Sequence, residues 1–142
     1  VTEPIAAEWR PPAPPPDRPA LPGADEFAQA VREALRHYGR DEALATSPLR
    51  HCAWLATADA PVASVESLRG ALAAAVQALA RHPADQKFHR ALTRTWFTPG
   101  AKQEAVAAEL GLPFNTYRYH LARGAERVAQ ALWQAEQMAR PR

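Results

Sequence analysis

Residues 102–124 read Lys-Gln-Glu-Ala-Val-Ala-Ala-Glu-Leu-Gly-Leu-Pro-Phe-Asn-Thr-Tyr-Arg-Tyr-His-Leu-Ala-Arg-Gly, and this stretch decides the fold. Its first part, 103–110, predicts a short helix with an apolar face. That face is formed by Val106, Ala107 and Leu110. Gly111 follows at once, and glycine readily takes the left-handed backbone conformation that ends a helix. A sharp corner is therefore expected at Gly111.

The second part of the stretch predicts another helix, which begins at Pro113 or Phe114. Tyr117 and Leu121 lie four residues apart and are expected to point inward. Ala107 has a small side chain, which lets the two helices cross closely. A helix, a sharp corner and a second helix are the parts of a helix-turn-helix, whose second helix enters the major groove of DNA.

The rest of the chain also predicts helices. Hydrophobic residues make up 47% of the sequence, and much of that fraction is alanine, the best helix former, whereas strand-favouring residues are scarce. We expect an all-α, multi-helix bundle with a C-terminal tri-helical helix-turn-helix. Eight of the 14 prolines fall within residues 1–22, which predicts an extended linker or tail. Residues 23–62 are expected to form an N-terminal helical segment, and residues 63–140 the helix-turn-helix domain.

Charge and composition narrow the classes of function. The net charge is only +2, but residues 1–86 hold eight Arg and eleven Asp or Glu, whereas residues 87–142 hold nine Lys or Arg and four Glu. A basic C-terminal half suits an anionic partner, although uneven surface charge is the other interpretation. No apolar run approaches the roughly 20 residues that span a bilayer, and no secretory signal is visible. With a single cysteine, Cys52, these features favour a cytoplasmic protein that does not enter a membrane.

Catalysis is not indicated. His51 and Cys52 are adjacent, so on a helix their side chains point about 100° apart, unsuited to a base and its nucleophile. The sequence contains no paired acids, no glycine-rich phosphate loop and no cluster with metal-ligand spacing. We expect neither an enzyme nor a cofactor.

Residues 68–132 resemble region 4 of the bacterial sigma-70 family and the related LuxR-type DNA-binding domain. The resemblance is carried by the aromatic link Thr95-Trp96-Phe97, by the segment Glu104–Gly111 and by Thr116-Tyr117, Leu121 and Arg123-Gly124. It implies that helix 114–124 enters the major groove while helix 103–110 braces it against the DNA backbone. Tyr117 stands where these families usually carry a small aliphatic residue.

Candidate DNA-binding residues are the polar side chains that face away from Tyr117 and Leu121. Asparagine pairs with adenine edges and arginine with guanine edges, whereas Thr116 and Tyr119 suit phosphates. The candidates on the second helix are Asn115, Thr116, Arg118, Tyr119, His120 and Arg123, and further phosphate contacts are expected from Lys102, Gln103 and Arg127. Ordinary solvated residues on an amphipathic helix are the other interpretation.

Two questions about partners stay open at the level of sequence. The apolar pattern continues beyond Gly124 within residues 125–139, where it either closes the core or pairs with a second copy in a homodimer. The function expected from the sequence is that of a DNA-binding module of a bacterial transcription regulator, with double-stranded DNA as its partner. The alternative function is a protein-interaction adaptor in which helices 25–58 bind RNA polymerase or another regulator.

Overall fold

The C-terminal helix is the longest element, and the other helices pack around it. The computed structural model describes residues 21–141, in which all regular secondary structure is helical, without strands. The α-helices are α1 (Ala24–Arg36), α2 (Asp41–Ala45), α3 (Val65–Leu79), α4 (Gln86–Thr95), α5 (Gln103–Glu109) and α6 (Phe114–Ala139), and 3-10 turns cover Pro48–His51 and Pro83–Asp85. The expected all-α, multi-helix fold is confirmed. None of the helices in residues 21–141 is both long and apolar enough to cross a membrane.

Helix α6 buries one side along most of its length. The buried residues are Tyr117, His120, Leu121, Gly124, Ala125, Val128, Ala129, Leu132 and Glu136. Helices α1 and α4 make the most extensive contacts with α6. Phe27 of α1 packs its ring 5.3 Å from the ring of Trp133 and 5.8 Å from that of Trp54, measured between centroids. At Gly124 a Cβ would lie 3.0 Å from Cδ1 of Leu92, so α4 crosses α6 closely there.

One hydrophobic core joins the two predicted segments. The buried apolar cluster extends from Leu21 to Leu132 and includes residues of both 23–62 and 63–140. Val31 and Leu35 of α1 are fully buried. The N-terminal helices therefore do not form a body separate from the predicted helix-turn-helix domain.

The predicted linker 1–22 reaches into this core at its end. Residues 1–20 lie outside the described part of the chain. Leu21 is buried, and the Arg140 guanidinium donates hydrogen bonds to the carbonyl oxygens of Leu21 and Pro22. The linker prediction is wrong for these two residues, because Arg140, which directly follows α6, holds their backbone in place.

The apolar residues within 125–139 pack in the core of the chain itself. Ala125, Val128 and Leu132 are buried in the shared core, and Trp133 packs on Phe27. The outward residues of this part are mostly polar, with Met138 exposed near the end. Of the two uses predicted for this stripe, closing the core is the one that the structure shows, since α1, α3 and α4 cover its buried residues.

Candidate nucleic-acid interface

The corner between α5 and α6 is a Schellman motif. The backbone N–H of Leu112 donates to the carbonyl oxygen of Ala107 at 3.0 Å, and the N–H of Gly111 donates to that of Ala108 at 3.1 Å. These two bonds satisfy carbonyls that the end of a helix leaves unpaired. Gly111 has φ +69°, in the left-handed region that favours glycine. The corner expected at Gly111 is confirmed.

Buried side chains hold α4, α5 and α6 against one another. Tyr117 is fully buried, and its hydroxyl shares a hydrogen bond with the side chain of Thr95 in α4. Val106 and Ala107 bury the inner face of α5. The phenol of Tyr117 is accommodated in the core because its hydroxyl has a hydrogen-bond partner there. Burial raises the pKa of Tyr117, although the hydrogen bond shared with Thr95 opposes the shift, so the hydroxyl stays protonated at neutral pH.

Four predicted contact residues lie on the exposed side of α6. They are Asn115, Thr116, Arg118 and Tyr119. Tyr119 is 63% exposed, and the centroid of its ring lies 6.3 Å from that of His120. At about 100° per residue, Asn115 and Tyr119 lie farthest from Tyr117, while Arg118 and Arg123 fall on opposite flanks of the exposed ridge.

Arg118 is the arginine most available for binding on this surface. Its Cζ lies 5.9 Å from the centroid of the half-exposed Phe114 ring. No carboxylate within residues 21–141 pairs with it. At the start of α5, Lys102 is exposed and Gln103 is half-buried. Gln103 and Arg118 line the same groove, so these two predicted residues come together.

His120 lies on the inward side of α6 and is not one of the outward residues. Only 9% of its surface is exposed, and its ring packs edge-on to Phe88 with 5.7 Å between centroids. Three residues after Tyr117, a helical side chain is only about 60° away from it, which turns His120 toward α4. Its predicted place beside Asn115 on the DNA-facing side is therefore wrong. Burial, with a smaller contribution from the charge of Lys87, lowers the pKa of His120.

The other two arginines each face a carboxylate. Arg123 is hydrogen-bonded to Glu126, one turn further along α6. Arg127 lies with Nη2 3.8 Å from Oδ1 of the buried Asp85, across from the start of α4. Their positive charges are therefore partly neutralised within the chain.

Two arginines outside the predicted motif join this surface. Arg32 and Arg36 of α1 line the same groove as Arg118 and Gln103, with Trp96 as a further wall. The sequence shows two arginines four residues apart beside the apolar face of α1. The sequence does not indicate which helix packs beside Arg32 and Arg36, and these two arginines were therefore not predicted.

The lone cysteine, Cys52, is held as a buried thiol. Cys52 is buried, and burial, with an added effect of Glu136, raises its pKa to about 12. The thiol therefore stays protonated and unreactive at neutral pH. Among residues 21–141, no group of three His, Cys, Asp or Glu side chains is arranged to hold a metal ion.

Comparison with family models, with curated proteins and with solved structures finds no match for this chain. The likeness of residues 68–132 to sigma-70 region 4 and to LuxR-type domains therefore rests on the sequence motifs themselves. A function for this surface has to follow from its own geometry and charge.

Proposed function

We propose that this chain is a DNA-binding module of a bacterial transcription regulator, in which residues 114–124 at the start of α6 enter the major groove. The observation that carries the proposal is the glycine corner at Gly111. It leaves the side of α6 with Asn115, Arg118 and Tyr119 uncovered by the rest of residues 21–141. A helix with a free polar face directly after such a corner suits insertion into DNA.

Base recognition is assigned to two residues of this face. Asn115 is suited to the paired donor and acceptor of an adenine edge, and Arg118 to the two acceptors of guanine, each worth about 1–3 kcal/mol of discrimination. The phosphate backbone is assigned to surrounding polar side chains. These are Lys102, Gln103, Thr116, Tyr119, Arg123 and Arg127. Such binding requires no cofactor and no chemical step, and it suits a regulator in the cytoplasm.

The ion pairs that these side chains already make within the chain limit the expected affinity for DNA. Arg123 and Arg127 have to exchange Glu126 and Asp85 for phosphates, which reduces their net gain. Lys102 and Arg118 make no such exchange within residues 21–141. We therefore expect modest affinity from the helix-turn-helix residues by themselves.

Selection from a random pool of DNA duplexes with the full chain tests the proposal. The wild type should enrich a short motif, whereas Asn115→Ala and Arg118→Ala should each lose preference at one base position. Arg81→Ala, at an exposed arginine after α3, is the matched control and should select the wild-type motif. The proposal is refuted if the wild type enriches no sequence, or if both α6 variants enrich the wild-type motif unchanged.

A protein-interaction adaptor is the second candidate. It is favoured by a groove of about 390 Å³ beside α1, lined mostly by the segment 25–58 that the sequence marks as a possible working surface. Its apolar lining residues are Leu21, Ala30, Ala34, Ala43 and Pro48. A helix of RNA polymerase or of another regulator bound there would respond weakly to salt, whereas DNA binding should weaken steeply as salt rises.

A further inference from the structure

Three arginines from two distant parts of the chain line one groove. Arg32 and Arg36 come from α1, and Arg118 comes from the proposed reading helix α6. The groove has a volume of about 220 Å³, and its remaining walls are Trp96, Gln103, Leu121, Ala122 and Ala125. It lies on the Arg118 flank of α6, next to the exposed ridge that carries Asn115.

The groove is positively charged and contains no carboxylate among its lining residues. Arg32 donates to the side-chain oxygen of Gln29 at 2.7 Å, which leaves its charge uncompensated. Nη1 of Arg36 lies 3.2 Å from Oε1 of Glu33, but the Arg36 side chain remains 58% exposed. A surface ion pair of this kind is weak. Charges of one sign that share a groove repel one another and attract an anion.

The positions of the three arginines are set by the core. Phe27 packs α1 against Trp133 of α6, and further along α1 Arg32 and Arg36 line the groove together with Leu121 and Ala125 of α6. Arginine presents a planar fork of donors that fits the paired oxygens of a phosphate. Because α1 is fixed relative to α6, a duplex bound by residues 114–124 would present a strand beside this groove.

We propose that the groove binds a phosphodiester group of the DNA strand that flanks the major groove read by α6. Helix α1 thereby becomes part of the DNA-binding surface, although it lies outside the helix-turn-helix. This inference rests on the proposed function. The groove would add affinity for DNA without sequence preference, since phosphates are the same at every position of the duplex.

The test measures fluorescence anisotropy of a labelled random-sequence duplex with the full chain over a series of salt concentrations. For Arg32→Gln/Arg36→Gln, the plot of log affinity against log salt should become shallower by about 1 in total, because the groove neutralises one phosphate. The matched control Arg40→Gln/Arg81→Gln removes the same charge at exposed positions outside the groove and should keep the wild-type slope. Arg32→Lys/Arg36→Lys should restore most of the slope because it retains the charge.

Each outcome bears on one of the two proposals. If the wild type binds duplex but the groove and control variants have equal slopes, the phosphodiester site is wrong and the DNA-binding function stands. If the wild type binds no duplex even at low salt, the proposed function fails and this inference fails with it. Calorimetric titration with pyrophosphate adds a third arm: arginine-dependent pyrophosphate binding with equal DNA slopes would assign the groove to a free anion and overturn the proposal. Circular dichroism melting verifies that each variant is folded.

Discussion

At the scale of single residues, Glu136 shows how a charged side chain serves the fold. Its side chain is almost completely buried and accepts hydrogen bonds from the backbone N–H groups of Trp54 at 2.9 Å and Ala53 at 3.3 Å. Arg140 donates to the same carboxylate at 3.0 Å and lies 4.8 Å from the ring centroid of Trp133. This cluster ties the end of α6 to the turn at Ala53. One feature of the sequence points to this cluster: Glu136 follows Leu132 by four residues and so lies on the apolar side of the helix.

Replacing Arg140 should destabilise the protein strongly. Arg140→Ala leaves a buried carboxylate without its cation, and breaking such a pair costs about 3–5 kcal/mol in the free energy of unfolding. Arg123→Ala is the matched control, because it breaks an exposed Arg–Glu pair of the same helix and should cost less than about 1 kcal/mol. Urea denaturation of both variants measures the difference. Equal losses would show that the Glu136 cluster contributes no more than a surface ion pair.

His120 should make stability depend on pH. Its pKa is lower in the folded state than its ordinary value of 6.5, mainly because of burial, so the unfolded chain binds the proton more readily. The stabilisation is therefore complete above pH 6.5 and is lost as the pH falls through the folded-state pKa. Urea midpoints measured from pH 7.5 to 5.5 should fall less for His120→Gln than for the wild type. His82→Gln, at an exposed position, should retain the wild-type profile; identical profiles for all three proteins would contradict the assignment.

At the scale of elements, the corner between α5 and α6 depends on backbone conformation and not on space. A Cβ at Gly111 would meet no atom within 4 Å, yet φ is +69° there. Gly70, within α3, also has open space around it, but its φ is an ordinary helical one. Because neither glycine is crowded, substitutions at Gly111 and Gly70 differ only in the backbone conformation that the new side chain has to adopt.

Alanine should have opposite effects at these two glycines. Gly111→Ala places a side chain in the left-handed region and should lower the free energy of unfolding by about 1–2 kcal/mol. Gly70→Ala should raise it by about 0.5–1 kcal/mol, because alanine is the better residue inside a helix. Thermal and urea denaturation check both values. Gly111→Asn should lose less than Gly111→Ala, and a loss as large as that of alanine would point to a cause other than the left-handed backbone.

At the scale of the whole molecule, α1 is as much a part of the core as the helices around the corner. Phe27 is fully buried between Trp54 and Trp133, which are 79 positions apart in the sequence. The helices of segments 23–62 and 63–140 therefore bury their apolar sides against each other. This arrangement implies that residues 21–141 unfold as one cooperative unit.

Removal of the Phe27 ring tests that cooperativity. Phe27→Ala should lower the free energy of unfolding by about 3–5 kcal/mol, as expected for a large side chain removed from a core. The circular dichroism signal of all helices and the tryptophan fluorescence should shift to the same lower urea midpoint. A variant in which part of the helical signal keeps the wild-type midpoint would instead indicate that residues 63–140 fold independently.

The sequence by itself determined the features that depend on neighbours along the chain. The left-handed corner at Gly111 follows from one residue type, and the inward direction of Tyr117 and Leu121 follows from the helical period. The prediction that His120 faces outward was wrong because the DNA-facing side of α6 is narrower than expected: α6 also packs against α4 on the side where His120 lies.

Only the tertiary structure decided which faces meet. Asp85 faces Arg127, Arg32 and Arg36 share a groove with Arg118, and α1 covers the apolar stripe of residues 125–139. These contacts join residues 42 to more than 80 positions apart along the chain. The period of each helix reveals which side is apolar, but a partner for that side is chosen by the fit of side chains in the common core, which no local pattern contains.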